Sequence, residues 1–197
     1  MLGVDVSHHQ GEIDWSRVAG DGIAFAYLKA TEGSSFTDPR FATNHAAADA
    51  AGLRVGGYHY YTLCSPPEGQ ADHFTATLDA VPPARRPLPP VVDLELIGNC
   101  DPPPDLDTLL ADVRVFVDRV ESATGRRVVV YTHPDLDERY GPTPFADRLE
   151  RRRWVRRPGE RPPSGSWWVW QRADDARVAG VAGPVDLDVM RPPRRSS

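Results

Sequence analysis

Six runs of apolar, β-branched and aromatic residues, separated by helix-like or loop segments, constrain this sequence more than any other feature. They occupy residues 2–6, 23–29, 54–61, 88–95, 127–132 and 167–171. A weaker run lies at 154–155, and residues 185–190 are expected to add a strand near the end of the chain. Near-continuous apolarity marks strands covered on both faces, as in parallel sheets flanked by helices. The intervening segments fit that arrangement. Residues 38–51 are Ala-rich, with Gly52 placed as a C-terminal stop, and residues 66–78 read as a second helix. Between 106 and 124, Leu106, Leu109, Leu110, Val113, Phe116, Val117 and Val120 recur at a helical period along one face. The fold class is therefore α/β, a parallel sheet with helices outside it, and in such folds the chemistry gathers at the C-terminal strand ends.

The 197 residues suit one domain, expected over 1–190, with 191–197 as a disordered tail. No apolar run approaches the roughly 18 residues of a membrane span, so no membrane partner is expected. The start, Met1-Leu2-Gly3-Val4-Asp5, lacks the basic and apolar stretches of a secretory signal. A net charge of −5 argues against nucleic acid, which needs a concentrated basic face. The Arg-rich stretch 148–161 is the local exception, read either as a solvated loop or helix surface or as an attractor for an anionic polymer. Cys64 and Cys100 each follow a strand in a Pro-rich loop; a disulfide and a pair of reduced thiols both remain open. Neither belongs to a C-x-x-C pair, no metal or cofactor is expected, and a monomer is the default.

The acids fall where the chemistry would be. Asp93 and Glu95 end an apolar strand at positions i and i+2, so they share a face with Cβ atoms roughly 6–7 Å apart. Two carboxylates that close disfavour each other's ionisation, which keeps one protonated as a general acid requires. Asp5 and Asp186 follow short apolar runs near opposite ends of the chain, and closing a barrel would bring both to the same rim. Lys29, the sole lysine, ends its strand three residues before Glu32 and offers an offsetting cation. His8 and His9 point to opposite faces if they lie on a strand, which disfavours joint chelation; one ring is expected to reach Asp5 or its loop. His59 is expected to line the barrel as a hydrogen bonder. Tyr60, Tyr61, Tyr131, Trp168 and Trp170 lie at or near strand ends, either as core or as flat surfaces for sugar rings, with Gln171 as a polar partner. No G-x-S-x-G elbow, P-loop or dinucleotide fingerprint is present.

These residues resemble glycoside hydrolase family 25, the muramidases. The resemblance runs through Gly3-Val4-Asp5-Val6-Ser7-His8-His9-Gln10, Lys29-Ala30-Thr31-Glu32-Gly33, Gly56-Gly57-Tyr58-His59-Tyr60-Tyr61, Val91-Val92-Asp93-Leu94-Glu95, Val129-Val130-Tyr131-Thr132, Trp168-Val169-Trp170-Gln171 and Val185-Asp186-Leu187-Asp188. It implies a single-domain, irregular, flattened TIM-like α/β barrel with a groove at the C-terminal strand ends. It implies hydrolysis of the β-1,4 bond between N-acetylmuramic acid and N-acetylglucosamine in bacterial peptidoglycan, outside the cell or at the wall. Glu95 resembles the general acid/base, Asp93 the nucleophile or the residue orienting the 2-acetamido group, and Asp5 and Asp186 the supporting carboxylates. Tyr60 or Tyr61 resembles a wall of the sugar subsite. The closing motif departs from the family's pattern, with Asp188 and Met190 where Asn and an aromatic are usual, so Asp186 and Asp188 compete for the fourth position. A barrel that binds glycan without cutting it, and a hydrolase of another glycan such as chitin, are the alternatives.

Overall fold

The computed structural model describes residues 1–141, 145–159 and 161–191. Its strands are β1 (Leu2–Val6), β2 (Ile23–Glu32), β3 (Phe36–Thr37), β4 (Arg54–Tyr60), β5 (Val91–Leu94), β6 (Val129–Thr132), β7 (Arg152–Arg156), β8 (Val169–Ala176) and β9 (Val185–Met190). Eight of them close into a barrel in the order β1-β9-β8-β7-β6-β5-β4-β2, and β2 pairs back to β1; β3 is a short antiparallel addition to the end of β2. Every barrel neighbour is parallel except β9, which runs against both β8 and β1. This is the expected α/β barrel, with helices α1 (Trp15–Gly20), α2 (Phe41–Ala50), α3 (Pro67–Asp79), α4 (Leu106–Thr124), α5 (Pro134–Tyr140) and α6 (Phe145–Arg148) among its connections.

Side chains alternating along each strand divide the apolar residues into two cores. Val4, Val6, Ala26, Leu28, Ala30, Val92, Leu94 and Val130 face outward under the helices, where Leu109, Val113, Phe116, Val117 and Val120 supply the buried stripe of α4. Asp105 caps that helix by accepting from the Thr108 N–H at 2.9 Å, and Gly125 ends it in the left-handed region. Phe25, Tyr27, Val91, Val129, Trp154, Val169 and Met190 face inward and fill the barrel. The interior is therefore packed rather than hollow.

Several boundaries differ from the sequence reading. β5 is shorter than 88–95, because Pro89 and Pro90 have no N–H for a ladder and because the chain leaves strand geometry after Leu94. β2 and β8 run further than expected, and α1, α5, α6 and β3 are additional elements. Arg152, Arg153 and Arg156 belong to β7, so that part of the Arg-rich stretch is barrel wall and not a loop or helix surface. From 192 on, the expected tail lies outside the described residues. Cys64 and Cys100 are joined by a disulfide with Cα atoms 6.1 Å apart.

Gly56 carries a packing constraint. A Cβ there would stand 2.5 Å from the Tyr27 ring and 2.9 Å from Leu88 Cβ. Gly56→Ala is predicted to lower stability by about 1–3 kcal/mol through overpacking, measured by urea denaturation; an unchanged midpoint would contradict the packing described.

Candidate active site

The parallel strands all end at one mouth of the barrel, and β9, running the other way, begins there. Its first acid therefore joins theirs: Asp186 stands opposite Asp5 in the antiparallel register of β9 and β1. On the facing side Asp93 ends β5, flanked in register by Tyr60 of β4 and Tyr131 of β6, and Glu95 follows it. A cleft of about 330 Å³ opens over these residues, lined by Asp5, Asp93, Glu95 and Asp186 together with Lys29, Tyr60, Tyr131 and Gln171.

Loop 95–100 is held from α5, from the end of β4 and through its own Asn99. Asp135, at the start of α5, accepts the Leu96 and Ile97 N–H groups on Oδ2 at 3.0 and 3.1 Å. Asn99 donates from Nδ2 to the carbonyls of Glu95 and Tyr61, at 2.9 and 3.1 Å, and accepts the Leu63 N–H at 2.7 Å. The Tyr60 hydroxyl donates to the Ile97 carbonyl. These bonds, with the Cys64–Cys100 disulfide in the same pair of loops, fix where Glu95 stands although it lies beyond the regular strand. A half-buried polar side chain that satisfies several backbone groups fixes the course of the loop it bonds.

Electrostatics follow from burial. Asp93 is only 9% exposed, and its Oδ1 has no hydrogen-bond partner among the described residues. Burial first, then the Glu95 charge, push its carboxyl well above the usual range, with Lys29 acting the other way. Glu95 is raised by burial too, opposed by the His133 ring that lines the same cleft. Because the two repel each other, their protons come off as a pair, and the pair holds one proton above the ordinary carboxylate range. Across the cleft, Tyr131 Oη donates to Gln171 Oε1 at 3.1 Å, and Gln171 Nε2 donates to Asp5 Oδ2 at 3.0 Å. Asp5 is nonetheless raised, by burial and then by the charges of Asp186 and Asp188.

Depth along β9 separates the two closing acids. Asp186 and Asp188 both face inward, but Asp186 lines the cleft while Asp188 lies fully buried beneath it. Trp154 Nε1 donates to Asp188 Oδ1 at 3.1 Å, and Oδ2 has no partner among the described residues. Burial, then the Asp186 charge, raise Asp188 well above the usual range.

Other expectations are relocated. Tyr61 is fully buried on the outer side against Phe116, because residues adjacent to an inward Tyr60 point the other way, so it is no wall of the cleft. His59 likewise faces outward and does not line the barrel: it contacts Thr31 Oγ1 at 2.7 Å and Gln70 Oε1 at 3.1 Å and stacks on Phe116, and burial lowers its pKa to about 3. Trp168 precedes β8 and sits at the opposite mouth, under the Arg152 guanidinium. His8 and His9 occupy a short 3-10 turn rather than a strand, and His8 reaches Asp38 at 2.8 Å instead of Asp5. Glu32 holds Lys29 at 2.6 Å at the rim without lining the cleft. His9, the other ring of the His8–His9 pair, lines the cleft with Asp5, as do Arg156 of the Arg-rich stretch and His133 and Asp174, the last two not singled out from sequence. Among the described residues, no group of three or more His, Cys, Asp or Glu could hold a metal ion and no helix is long and apolar enough to cross a membrane.

Comparison with known proteins places this geometry. The model of glycosyl hydrolases family 25 matches residues 4–181. Lysozyme M1 of Streptomyces globisporus is 35% identical over 202 residues, covering 94% of this chain and 66% of that protein. An N,O-diacetylmuramidase of Arthroderma benhamiae is 30% identical, covering 91% of this chain and 80% of its own length. The crystal structure of a bacterial lysozyme from Streptomyces coelicolor superposes with a TM-score of 0.85 at 30% identity, over 98% of this chain and 92% of that one.

The buried Asp188 generates a prediction with a definite sign. A carboxyl raised by folding loses stability for the native state as pH climbs from the unfolded value near 4 toward the folded one. Asp188→Asn keeps an acceptor for Trp154 and removes the ionisation. It should be more stable than the parent by at least about 1 kcal/mol at pH 7 and gain little or nothing at pH 3.5. Urea denaturation at both values checks this; an equal difference at both would sink it.

Proposed function

The chain belongs to glycosyl hydrolases family 25 and is a glycoside hydrolase, and we propose that it is a muramidase that hydrolyses the β-1,4 bond between N-acetylmuramic acid and N-acetylglucosamine in bacterial peptidoglycan. The observation that carries this reading is the Asp93–Glu95 pair: two carboxyls lining one cleft, both raised by burial and Asp93 further by the Glu95 charge. In this reading Glu95, the more accessible of the two, gives its proton to the glycosidic oxygen as the bond to C1 breaks. Asp93 acts on the other side of C1, by attacking it or by orienting the 2-acetamido oxygen that does. Glu95, now a carboxylate, then takes a proton from the water that releases the sugar. Asp5 and Asp186 support the oxocarbenium-like charge from the facing strands, and Tyr60 and Tyr131 flank the sugar.

Retention of anomeric configuration belongs to this proposal. Retaining pairs lie about 5–5.5 Å apart and inverting pairs about 6.5–9.5 Å. Side chains two residues apart on one face at a strand end leave little space for a water between them. The protein is proposed to work as a monomer on glycan strands at the cell wall, outside the cytoplasm; its relatives include an autolytic lysozyme of Clostridium acetobutylicum.

Glu95→Gln should retain the parent's melting temperature while reducing-end release from peptidoglycan falls at least about 100-fold. Parent-like clearing by this variant would remove Glu95 from its role. Release from peptidoglycan but not from chitin is the expected specificity, and the reverse would reassign the substrate. Proton NMR of the first sugar released should show the β-anomer; α-anomer at the start would exclude retention.

A further inference from the structure

Charge is distributed around the barrel mouth in an alternating pattern. The acids stand in two groups, Asp93 in β5 with Glu95 just after it, and Asp5 and Asp186 on β1 and β9. Between these groups stand the two permanent cations that line the cleft among the described residues, Lys29 on β2 and Arg156 on β7. β2 and β7 are diametrically opposed in the ring, with β4, β5 and β6 between them one way and β1, β9 and β8 the other. The cations are not equivalent. Lys29 is 11% exposed, held by Glu32 at 2.6 Å and set 4.9 Å over the Tyr60 ring. Arg156 is 24% exposed, and among the described residues only its Nη2 is engaged, by Asp174 of β8. Arg156 lines the cleft, its other guanidinium N–H donors have no partner among the described residues, and a guanidinium fork matches a carboxylate.

Resting on the muramidase reading, we propose that Arg156 is a specificity-determining residue that binds a carboxylate of the substrate: the lactyl carboxylate of N-acetylmuramic acid or a carboxylate of its stem peptide. The cleft is lined by five carboxylates, counting Asp174 with the four already placed, and an anionic glycan entering it is repelled except where a cation is free to pair. Arg156 is where that pairing is available. Asp174 holds the guanidinium in place from the neighbouring strand, which reduces what is lost on ordering it against a ligand. The residue comes from the Arg-rich stretch whose bulk the catalytic reading leaves unexplained.

The test compares glycan strands bearing stem peptides and strands stripped by an amidase, each with its carboxylates free or capped as methylamides. The readout is the ratio of kcat/KM on free over capped substrate. This ratio cancels any change that losing Arg156 makes to Glu95, whose pKa the guanidinium also lowers. The parent should favour free carboxylates by about tenfold or more, the scale of one charge-assisted hydrogen bond. Arg156→Gln should bring the ratio near one, and Arg156→Lys, with charge but no fork, should fall between. Preference on stripped strands alone identifies the lactyl carboxylate, and preference on peptide-bearing strands alone the stem peptide. A parent ratio of one, or a parent-like ratio in a folded Arg156→Gln, overturns the proposal. A parent that releases no reducing ends from any of the four substrates would instead overturn the muramidase reading.

Discussion

The antiparallel pairing of β9 with β1 is the contact on which the remainder of the structure depends. It joins the two ends of the described chain: the Met1 amino group donates to the Met190 carbonyl, and the Met190 N–H donates to the Met1 carbonyl, both at 2.9 Å. Leu2, Gly3, Val4 and Asp5 then register against Val189, Asp188, Leu187 and Asp186. Without this pairing the sheet would be open, with edges on β1 and β9 and no enclosed mouth. With it, an acid from the first strand and an acid from the last meet, and face the acid pair of β5 across one cleft. Closing the ring with a reversed strand is what lets a residue near the start of β9 act at the same mouth as residues near the ends of its neighbours.

That mouth is arranged against stability. Asp5, Asp93, Glu95, Asp186 and Asp188 all have carboxyls raised by burial, most of them further by one another. A fold selected only for stability would not collect them, because buried like charges cost free energy that apolar side chains of similar size would not. The opposing contributions are local: Lys29 and Arg156 on facing walls, and a buried network from Tyr131 through Gln171 to Asp5. The apolar interior beneath, with Tyr27 and Trp154 in contact at 4.9 Å between ring centres, excludes water from below. It also provides the low-polarity floor that raises the acids.

Much of this was legible in the sequence because a parallel barrel writes its strands as apolar runs and its chemistry at their ends. The acids Asp5, Asp93, Glu95 and Asp186 could be placed from that rule and from the two-residue period. What resisted was the facing of adjacent residues and the reach of side chains between loops. Tyr60 and Tyr61 differ only in which side of β4 they leave from, and that depends on register, which local sequence does not state. Trp168 lies one residue before the first of β8 and so falls at the far mouth. Asn99 and Asp135 order the loop after Glu95 through bonds spanning 4 to 39 residues, and nothing in their own neighbourhoods marks them for it. Arg156 was hidden in a stretch whose arginine content suggested solvent, and Asp174 had no local mark; pairing of β7 with β8 makes both of them cleft residues.

Crowded, buried carboxyls keep a proton in the cleft above the ordinary carboxylate range. Carbon-13 NMR titration of the side-chain carboxyls, assigned through single Asp→Asn and Glu→Gln variants, reads this directly. The account predicts that the Asp93–Glu95 pair titrates in two separated steps, the later one well above the ordinary carboxylate range near 4, with Asp5 and Asp188 also displaced upward. Single ordinary titrations near 4 for all four groups would contradict it.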